Sequence, residues 1–460
     1  MSQRRDDYTS IVEAMTLIDQ KVNFMGVVLE TSFPRKTKGT DYFCLVKITD
    51  QSYQSRALSV NVFTETIEKL PLVLNAGDII LLFNVRMKVH NSVVHAVFNK
   101  YFSSFALFDG EYSTTFLPYQ CHVPYLPRER EEKLILGLRK WSVDHPIITS
   151  LINFQSLKDI REGDGFNLVC KILRVVRQDE WILLVWDGTD TPPVAINARL
   201  EDELQTPLPL ESVPVCLPRD KFCKLPSLGT VLRVTLDCGN EKLGMNVLRT
   251  NRWVKIDNLR CQLLDSLWHA ALFPTTRFCY LRDEDHIVSQ RMREFDKRIK
   301  SKWGWMPLSA LPWPTHVTVT DYSEVPFVSL MRALVNPKVV GKFHCVVRVV
   351  ASFPWIVEDF RSPSGVYRIR LTIEDPTARI RAYLYAEDAE QFFGGYPSLD
   401  VLRRMRNLLL GISESGGDSE RNETCRNPPW IMCCLKSYHI NDSDIWGSRN
   451  FRIFATTLKM

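Results

Sequence analysis

The 460-residue chain carries 58 Lys and Arg against 53 Asp and Glu, for a formal net charge of +5 and a pI near 8.5. Charged residues make up 24% and hydrophobic residues 45%, which fits a folded globular protein and excludes a disordered one. No apolar run reaches the roughly 18 residues a membrane helix needs, so no membrane partner is expected. Such a length exceeds what one hydrophobic core serves, and about three domains are expected.

Residues 1–7 lack the apolar stretch of a secretory signal, so an intracellular location is expected. The 12 cysteines are scattered, mostly within apolar runs such as those of Cys44, Cys170 and Cys345. They read as reduced, buried thiols and not as a disulfide framework. The small positive charge favours a polyanionic partner without establishing one.

The first unit spans residues 8–125. Phe24 to Leu29 reads as a strand, and the loop from Thr31 to Thr40 carries Arg35, Lys36 and Lys38 around Pro34. Val46 to Ser52 and Leu58 to Phe63 alternate apolar and polar residues about a tight turn, the pattern of a β-hairpin. Thr64 to Leu70 is expected to be a short helix. Gly77 to Leu81 leads a further strand, and Arg86, Lys88 and His90 alternate with Met87 and Val89. That alternation predicts a strand with one face in the core and cations on the other.

Leu134, Leu138 and Trp141 mark an amphipathic helix over Arg128 to Trp141, closed by Pro146. The second unit, 146–272, repeats the strand (Phe166 to Leu173) and the hairpin (Leu183 to Thr189, returning through Val194 to Asn197). Pro192 and Pro193 punctuate it, and Gly229 to Val234 is a further strand. Leu259, Leu263, Leu267 and Ala270 predict a closing helix over Asp257 to Leu272.

Residues 277–315 form a basic helix and a Pro/Trp-rich linker. Arg291, Arg293, Lys297, Arg298, Lys300 and Lys302 crowd the helix beside Phe295, Ile299 and Trp303, and Pro307, Pro312, Trp313 and Pro314 punctuate the rest. A charge run of this kind reads as a solvated face, with nucleic-acid contact as the alternative. The third unit, 320–460, repeats the strand (Phe343 to Val350) and the hairpin (Leu371 to Thr377, then Ile380 to Tyr385). Helices are expected over Ala386 to Phe393 and Leu399 to Leu410, a polar loop over Ser413 to Asn427, and strands over Trp430 to Tyr438 and Phe451 to Leu458.

All three hairpins share the pattern apolar-x-apolar-x-Asp-x-Ser/Thr, at Asp50, Asp187 and Asp375. Asp and Ser/Thr suit the corner because their side chains bond the backbone where ladder bonds are lost. A long strand, a hairpin and returning strands form a five-stranded Greek-key barrel, the OB-fold. The fold class is therefore mainly β: three such barrels in tandem, with capping and linker helices. Equivalent corners of separate barrels cannot converge on one metal ion.

The chain has no nucleotide-binding glycine loop, no HExxH and no GxSxG. No catalytic constellation emerges, and neither enzyme activity nor a cofactor is expected. Cys425, Cys433 and Cys434, with Cys345 and His439, are weak zinc candidates. Their C-x7-C-C spacing lacks the C-x2-C pair, and buried strand cysteines are the competing reading. OB barrels bind single strands by stacking bases on aromatic rings while cations track the phosphates. In the first unit Tyr42, Phe63, Lys38, Arg86 and Lys88 supply both.

The runs Lys38-Gly39-Thr40-Asp41-Tyr42, Ile48-Thr49-Asp50-Gln51, Leu70-Pro71 and Gly77-Asp78-Ile79 resemble the first OB-fold of the protection-of-telomeres family. Leu138-Arg139-x-Trp141, Phe166-x-Leu168-x-Cys170 and Val185-Trp186-Asp187-Gly188-Thr189-x-Thr191-Pro192 resemble its second. The resemblance covers residues 8–272, and the C-terminal wording is most similar to the plant branch. It implies a nuclear protein at the telomeric ends of chromosomes that binds the G-rich single strand and limits telomerase or end-repair access. By position it implies that Asp41 accepts from a base edge, Phe63 stacks, Lys38 pairs with phosphate and Thr40 joins them. It also implies that the third unit engages other telomere-capping proteins.

Arg35 stands where vertebrate members carry an aromatic residue before this motif, and its flat guanidinium can stack in turn. His90-Asn91 stands where they carry Tyr-Lys. The DNA-binding set is thus Arg35, Lys38, Thr40, Asp41, Tyr42, Phe63, Arg86, Lys88 and His90. Some plant relatives associate with the telomerase ribonucleoprotein instead of coating the overhang, so an accessory subunit of telomerase is the alternative reading.

Overall fold

The computed structural model describes residues 7–54, 56–111, 115–145, 154–177, 181–210, 217–236, 248–311, 317–322, 324–412 and 425–459. Pro146, residues 312–316 of the linker and residues 413–424 of the polar stretch lie outside them.

The first barrel consists of β1 (Lys21–Ser32), β2 (Tyr42–Thr49), β3 (Leu58–Thr64), β4 (Ile79–His90) and β5 (Val93–Phe98). β1 pairs antiparallel with β2 and β4, β2 with β3, and β4 with β5, while β3 runs parallel to β5. The ring closes in the order 1-2-3-5-4. Alternate residues Val46, Ile48, Val60, Val62, Met87 and Ala96 are fully enclosed in it. β6 (Ser104–Phe108) extends β4 on the outside.

The second barrel repeats that order with β7 (Gly165–Arg177), β8 (Trp181–Trp186), β9 (Leu232–Leu236), β10 (Trp253–Leu264) and β11 (Leu267–Leu272). Three sequence expectations fail here. The hairpin does not return through Val194 to Asn197: Pro192 and Pro193 supply no N–H to a ladder, and Ile196 bridges instead to Arg426 of the third unit. The strand after Gly229 is therefore the third of its barrel, not one that follows the hairpin. Gly229 itself has φ +85°, and a Cβ there would meet Trp186 Nε1 at 2.7 Å.

The expected helix over Asp257 to Leu272 is a hairpin. Asp265 and Ser266 turn it, with φ of 50° and 61°, as a two-residue hairpin loop requires. A four-residue spacing such as Leu259–Leu263–Leu267 keeps side chains on one face of a strand as well as of a helix, so it cannot choose between them. In the first unit the helix expected at Thr64 to Leu70 shrinks to one 3-10 turn, Ile67–Lys69.

β12 (Arg277–Leu281) opens the 277–315 segment, and the basic helix expected within it is His286–Lys300. This strand joins the barrels: Phe278 pairs with Thr31 of β1, and Leu281 with Trp253 of β10. Phe278 also stacks on Phe33 at 4.6 Å. Beneath it Lys255 Nζ lies 3.8 Å from Glu30 and 3.7 Å from Asp257. Burial, then the neighbouring Glu30, pushes Asp257 up to about 7, whereas Asp257 and Lys47 hold Glu30 below its usual range against burial.

The joint should be tightest while this pair shares a proton. Asp257 holds a proton more tightly folded than unfolded, so its contribution is complete below about pH 4. That contribution is lost as pH rises through about 7. Amide exchange at Thr31 and Phe278 should accelerate between about pH 6 and 8 beyond the intrinsic trend. Asp257→Asn should remove that excess, and an identical profile in the variant would refute it.

The third barrel is built from β13 (Gly341–Phe353), β14 (Arg368–Asp375), β15 (Ala378–Tyr385), β16 (Trp430–His439) and β17 (Arg449–Phe454), closed in the same order. Helices Ala386–Phe393 and Leu399–Leu410 stand where expected, inserted before β16. The last expected strand breaks at Ala455, and Thr456–Leu458 pairs instead with Thr318–Thr320. Two arginines buried on Glu374 dock this barrel against the second: Arg348 donates to Val194 O at 2.8 Å and Arg379 to Ser266 O at 3.0 Å.

One corner recurs in all three barrels. Asp50, Asp187 and Asp375 each accept through Oδ1 from the backbone N–H two residues on, at 2.9, 2.8 and 2.8 Å. Each Oδ1 also accepts from the Ser or Thr hydroxyl, at 2.6, 2.8 and 2.6 Å. Each Oδ2 reaches back to the first N–H of a helical turn that leads the unit: Ile11 at 2.8 Å, Leu157 at 2.9 Å and Leu330 at 2.7 Å. Ser52, Thr189 and Thr377 accept from the next N–H of that turn. The sequence pattern thus marks a staple between hairpin and helix N-terminus, where a carboxylate is favoured by the exposed N–H groups.

Candidate nucleic-acid interface

Strand parity decides which side chains the first barrel shows to solvent. On β2, Cys44, Val46 and Ile48 point inward, so Phe43, Leu45 and Lys47 point outward; on β3, Ser59, Asn61 and Phe63 do. Phe43 and Phe63 are register partners with ring centroids 5.0 Å apart. Arg35 pairs with Phe43 along the short strand Arg35–Lys36, its guanidinium 4.8 Å over that ring. Three flat groups thus line one end of the face. A second row crosses it through register partners: Leu45, Asn61, Val97, Arg86 and Lys21.

The loop before β2 turns on Thr37, whose N–H and hydroxyl both donate to Asp41 O at 2.8 Å. The turn leaves Lys38 and Thr40 exposed beside the rings. Thr40 Oγ1 donates to Asp41 Oδ1 at 3.2 Å. Lys100 Nζ holds the same oxygen at 2.7 Å, and this contact keeps the Asp41 carboxyl below its usual range. A base edge reaching Asp41 must displace or share Lys100.

Tyr42 packs against the barrel core on the inward side of β2; parity assigns the outward ring to Phe43 instead. Arg86 and Lys88 alternate with enclosed Val85 and Met87 and point outward. Lys88 is paired with Asp19, and Arg86 lies 6.0 Å from the Phe102 ring. His90 sits exposed at the β4–β5 tip, where Asn91 and Ser92 turn at positive φ. The tip lies at the far end of β4 from the rings, so the structure does not bring His90 to Phe63.

Sequence reasoning missed Phe43, Lys100 and Tyr101. Phe43 was legible from its parity with Leu45 and Lys47. Lys100 and Tyr101 follow β5 in a turn, with the Tyr101 ring 81% exposed and Lys100 Nζ 5.2 Å from its centre. No periodicity marks a turn.

The cationic helix His286–Lys300 is partly structural. Arg291 is buried on Ser156 and donates to Gln155 O at 3.1 Å, and Arg298 grips Asp190 with two bonds of 2.7 and 2.6 Å. Phe295 packs edge-on against Trp186 at 4.7 Å. Arg293, Lys297 and Lys300 remain exposed.

The zinc candidates do not assemble. Cys345 and Cys433 are enclosed register partners whose thiols burial pushes up, Cys425 is exposed, and His439 faces Asp442 at 2.9 Å. Cys434 lies on the opposite parity of β16 from Cys433. Among the described residues no three His, Cys, Asp or Glu side chains form a group able to hold a metal ion.

Two family models match the chain: "Telomeric single stranded DNA binding POT1/CDC13" over residues 2–148, and "POT1A-like, OB fold domain" over residues 313–444. Protection of telomeres protein 1a of Arabidopsis thaliana is 37% identical over 100% of both chains. The chain belongs to the protection-of-telomeres family. It is a member of the plant type: protein 1b of the same plant is 36% identical over 99% of this chain and 98% of that one. Human protection of telomeres protein 1 is 30% identical over 39% of this chain and 28% of its own. The family's first model covers the barrel that carries the Phe43–Phe63 pair.

Proposed function

We propose that the chain binds the G-rich single strand at chromosome ends through the outer face of its first barrel, in the nucleus. By doing so it protects the ends and regulates telomerase access and telomere length. One observation carries this reading: the outward Phe43–Phe63 pair under Arg35, with Lys38 and Lys100 beside it, in the unit the telomeric single-strand model covers. Flat groups take bases and cations take phosphates. The set Arg35, Lys38, Thr40, Asp41 and Phe63 forms the site, with Arg86 and Lys88 tracking the backbone further along. The second barrel continues the path, and the third unit engages a partner protein.

A mobility shift with a G-rich telomeric oligonucleotide at physiological salt tests the reading. A specific complex is expected, several-fold weaker with the C-rich strand. Equal binding to both removes the sequence-specific claim.

A second reading, a telomerase accessory subunit acting through protein contacts, is favoured by the Asp41–Lys100 pair, which occupies the base-reading carboxylate. Telomerase activity should then co-purify undiminished with a Phe63→Ala chain.

A further inference from the structure

The outer face of the third barrel repeats the first barrel's face position for position, and it is the more strongly charged of the two. Measured back from the corner aspartates, Phe43 and Leu45 of β2 correspond to Arg368 and Arg370 of β14. The register then fixes the rest. Phe43 pairs with Phe63, and Arg368 with Tyr385. The row Leu45–Asn61–Val97–Arg86–Lys21 corresponds to Arg370–Tyr383–Arg452–Lys436–Lys342.

Parity puts these side chains outside, since the alternating Ile369, Leu371, Ile380, Ala382, Leu384 and Ile453 fill the core. The ring standing where Phe63 stands in the first barrel is Tyr385, 43% exposed, with the Arg452 guanidinium 5.7 Å from it. Arg368 and Lys342 are exposed, and Arg381 points outward between them and the corner. Against these cations stand Asp388, shared by Arg452 and Lys436, and Glu203, 3.6 Å from Arg370. Among the described residues, Asp388 and Glu203 pair with three of these six cations, Glu374 on the same strand as Arg370 being taken by Arg348 and Arg379, and tyrosines are interleaved at Tyr383 and Tyr385.

Isolated surface arginines pair with nearby acids; this set outnumbers its acids and alternates with rings. That is the composition that holds a single strand, where rings stack bases and arginines meet phosphates. We propose that the third barrel carries a second binding face for single-stranded nucleic acid, centred on Arg368, Tyr385, Tyr383 and Arg452. A long strand contacts it in addition to the first barrel. The inference goes beyond the function proposed above and rests on residues that function does not use.

The test uses the full chain in four forms: unaltered, first face removed (Phe43→Ala with Phe63→Ala), third face removed (Arg368→Glu with Tyr385→Ala), and both. Probes are a single strand of about 30 nucleotides, long enough for two OB sites, and a duplex of equal length. Removing the third face should weaken long-strand binding on the order of tenfold per stacking ring removed. It should also flatten the salt dependence by about 0.7 for each phosphate that is no longer neutralised. In the chain lacking the first face it should weaken the remaining binding by a similar factor. A bromodeoxyuridine-substituted strand should crosslink to the peptide holding Tyr383 and Tyr385.

Arg368→Lys with Tyr385→Phe, which keeps charge and ring, should restore binding and so separates a missing DNA-binding group from a misfolded barrel. Unchanged affinity and salt slope in both backgrounds overturn the proposal, as does equal affinity for the duplex, whose bases are closed to the rings. If only the third-face substitutions matter, the first-barrel reading fails and this one stands. If only the first-face substitutions matter, the reverse holds.

Discussion

Replacing Asp375 by alanine is expected to detach Leu330–Leu334 from the third barrel and to destabilise that unit by about 3 kcal/mol or more. The carboxylate accepts four hydrogen bonds: from Leu330 N, Thr377 N, Thr377 Oγ1 and Ala378 N, at 2.7, 2.8, 2.6 and 3.0 Å. The surroundings are enclosed, so alanine leaves buried donors with no acceptor, which costs more than the bonds themselves contribute. Asparagine should cost about 1–3 kcal/mol, because its amide group turns a donor toward the Leu330 N–H.

Burial pushes Asp375 up to about 6. The native chain then holds this proton more tightly than the unfolded one. Its contribution is complete below about pH 4 and is lost as pH rises through about 6. Neither variant should retain that dependence. Because several barrels unfold in one chain, a single melting temperature is a poor readout. Amide exchange at residues 330–334 and 377–378 is the direct one. Asp50→Ala and Asp187→Ala should release Ile11–Thr16 and Leu157–Asp159 in the same local way. Protection at 330–334 that survives Asp375→Ala would sink the idea.

These three corners also explain how much of the fold was legible. The Asp-x-Ser/Thr signature is local chemistry, and local chemistry can be read along a chain. Helices Ala386–Phe393 and Leu399–Leu410 were legible for a similar reason, since left-handed Gly394 and Gly411 stop them. What failed needed long-range partners. The third strand of the second barrel lies 45 residues after the corner (Asp187 to Leu232), and the intervening chain leaves to dock on the third unit through Ile196 and Glu203. No periodicity reveals such an excursion. The Asp257–Leu272 hairpin failed because its leucine spacing suits both periods, although Asp265-Ser266 held the turn signal. In the candidate site the cations of β4 were legible by alternation. The exchange of Tyr42 for Phe43 was a one-residue error of parity, which in a strand inverts the face.

That parity yields the second large effect. Phe63→Ala is expected to weaken binding of a G-rich single strand by about 1–3 kcal/mol, roughly fivefold to 150-fold. Phe43→Ala should cost a similar amount, because it removes one ring and the platform beneath Arg35. With ring centroids 5.0 Å apart the two losses should not add: once one ring is gone, the other stands unsupported, and the double variant should fall short of the sum. Arg35→Lys keeps the charge but loses the flat group, so it should lower affinity and leave the salt dependence intact. Lys100→Ala should do the opposite to the salt dependence, flattening it by about 0.7 for one phosphate.

Asp41→Ala separates affinity from reading. It spares Lys100 the loss of its ion pair on meeting phosphate and removes a base-edge acceptor, so total binding should change little while preference for the G-rich over the C-rich strand shrinks. Tyr42→Leu tests the parity directly, since it removes the ring while keeping apolar bulk on the inward side of β2, and an inward position should leave strand affinity unaltered. Should Tyr42→Leu weaken binding while Phe43→Ala does not, the outward face would have been assigned to the wrong side of β2, and the site with it.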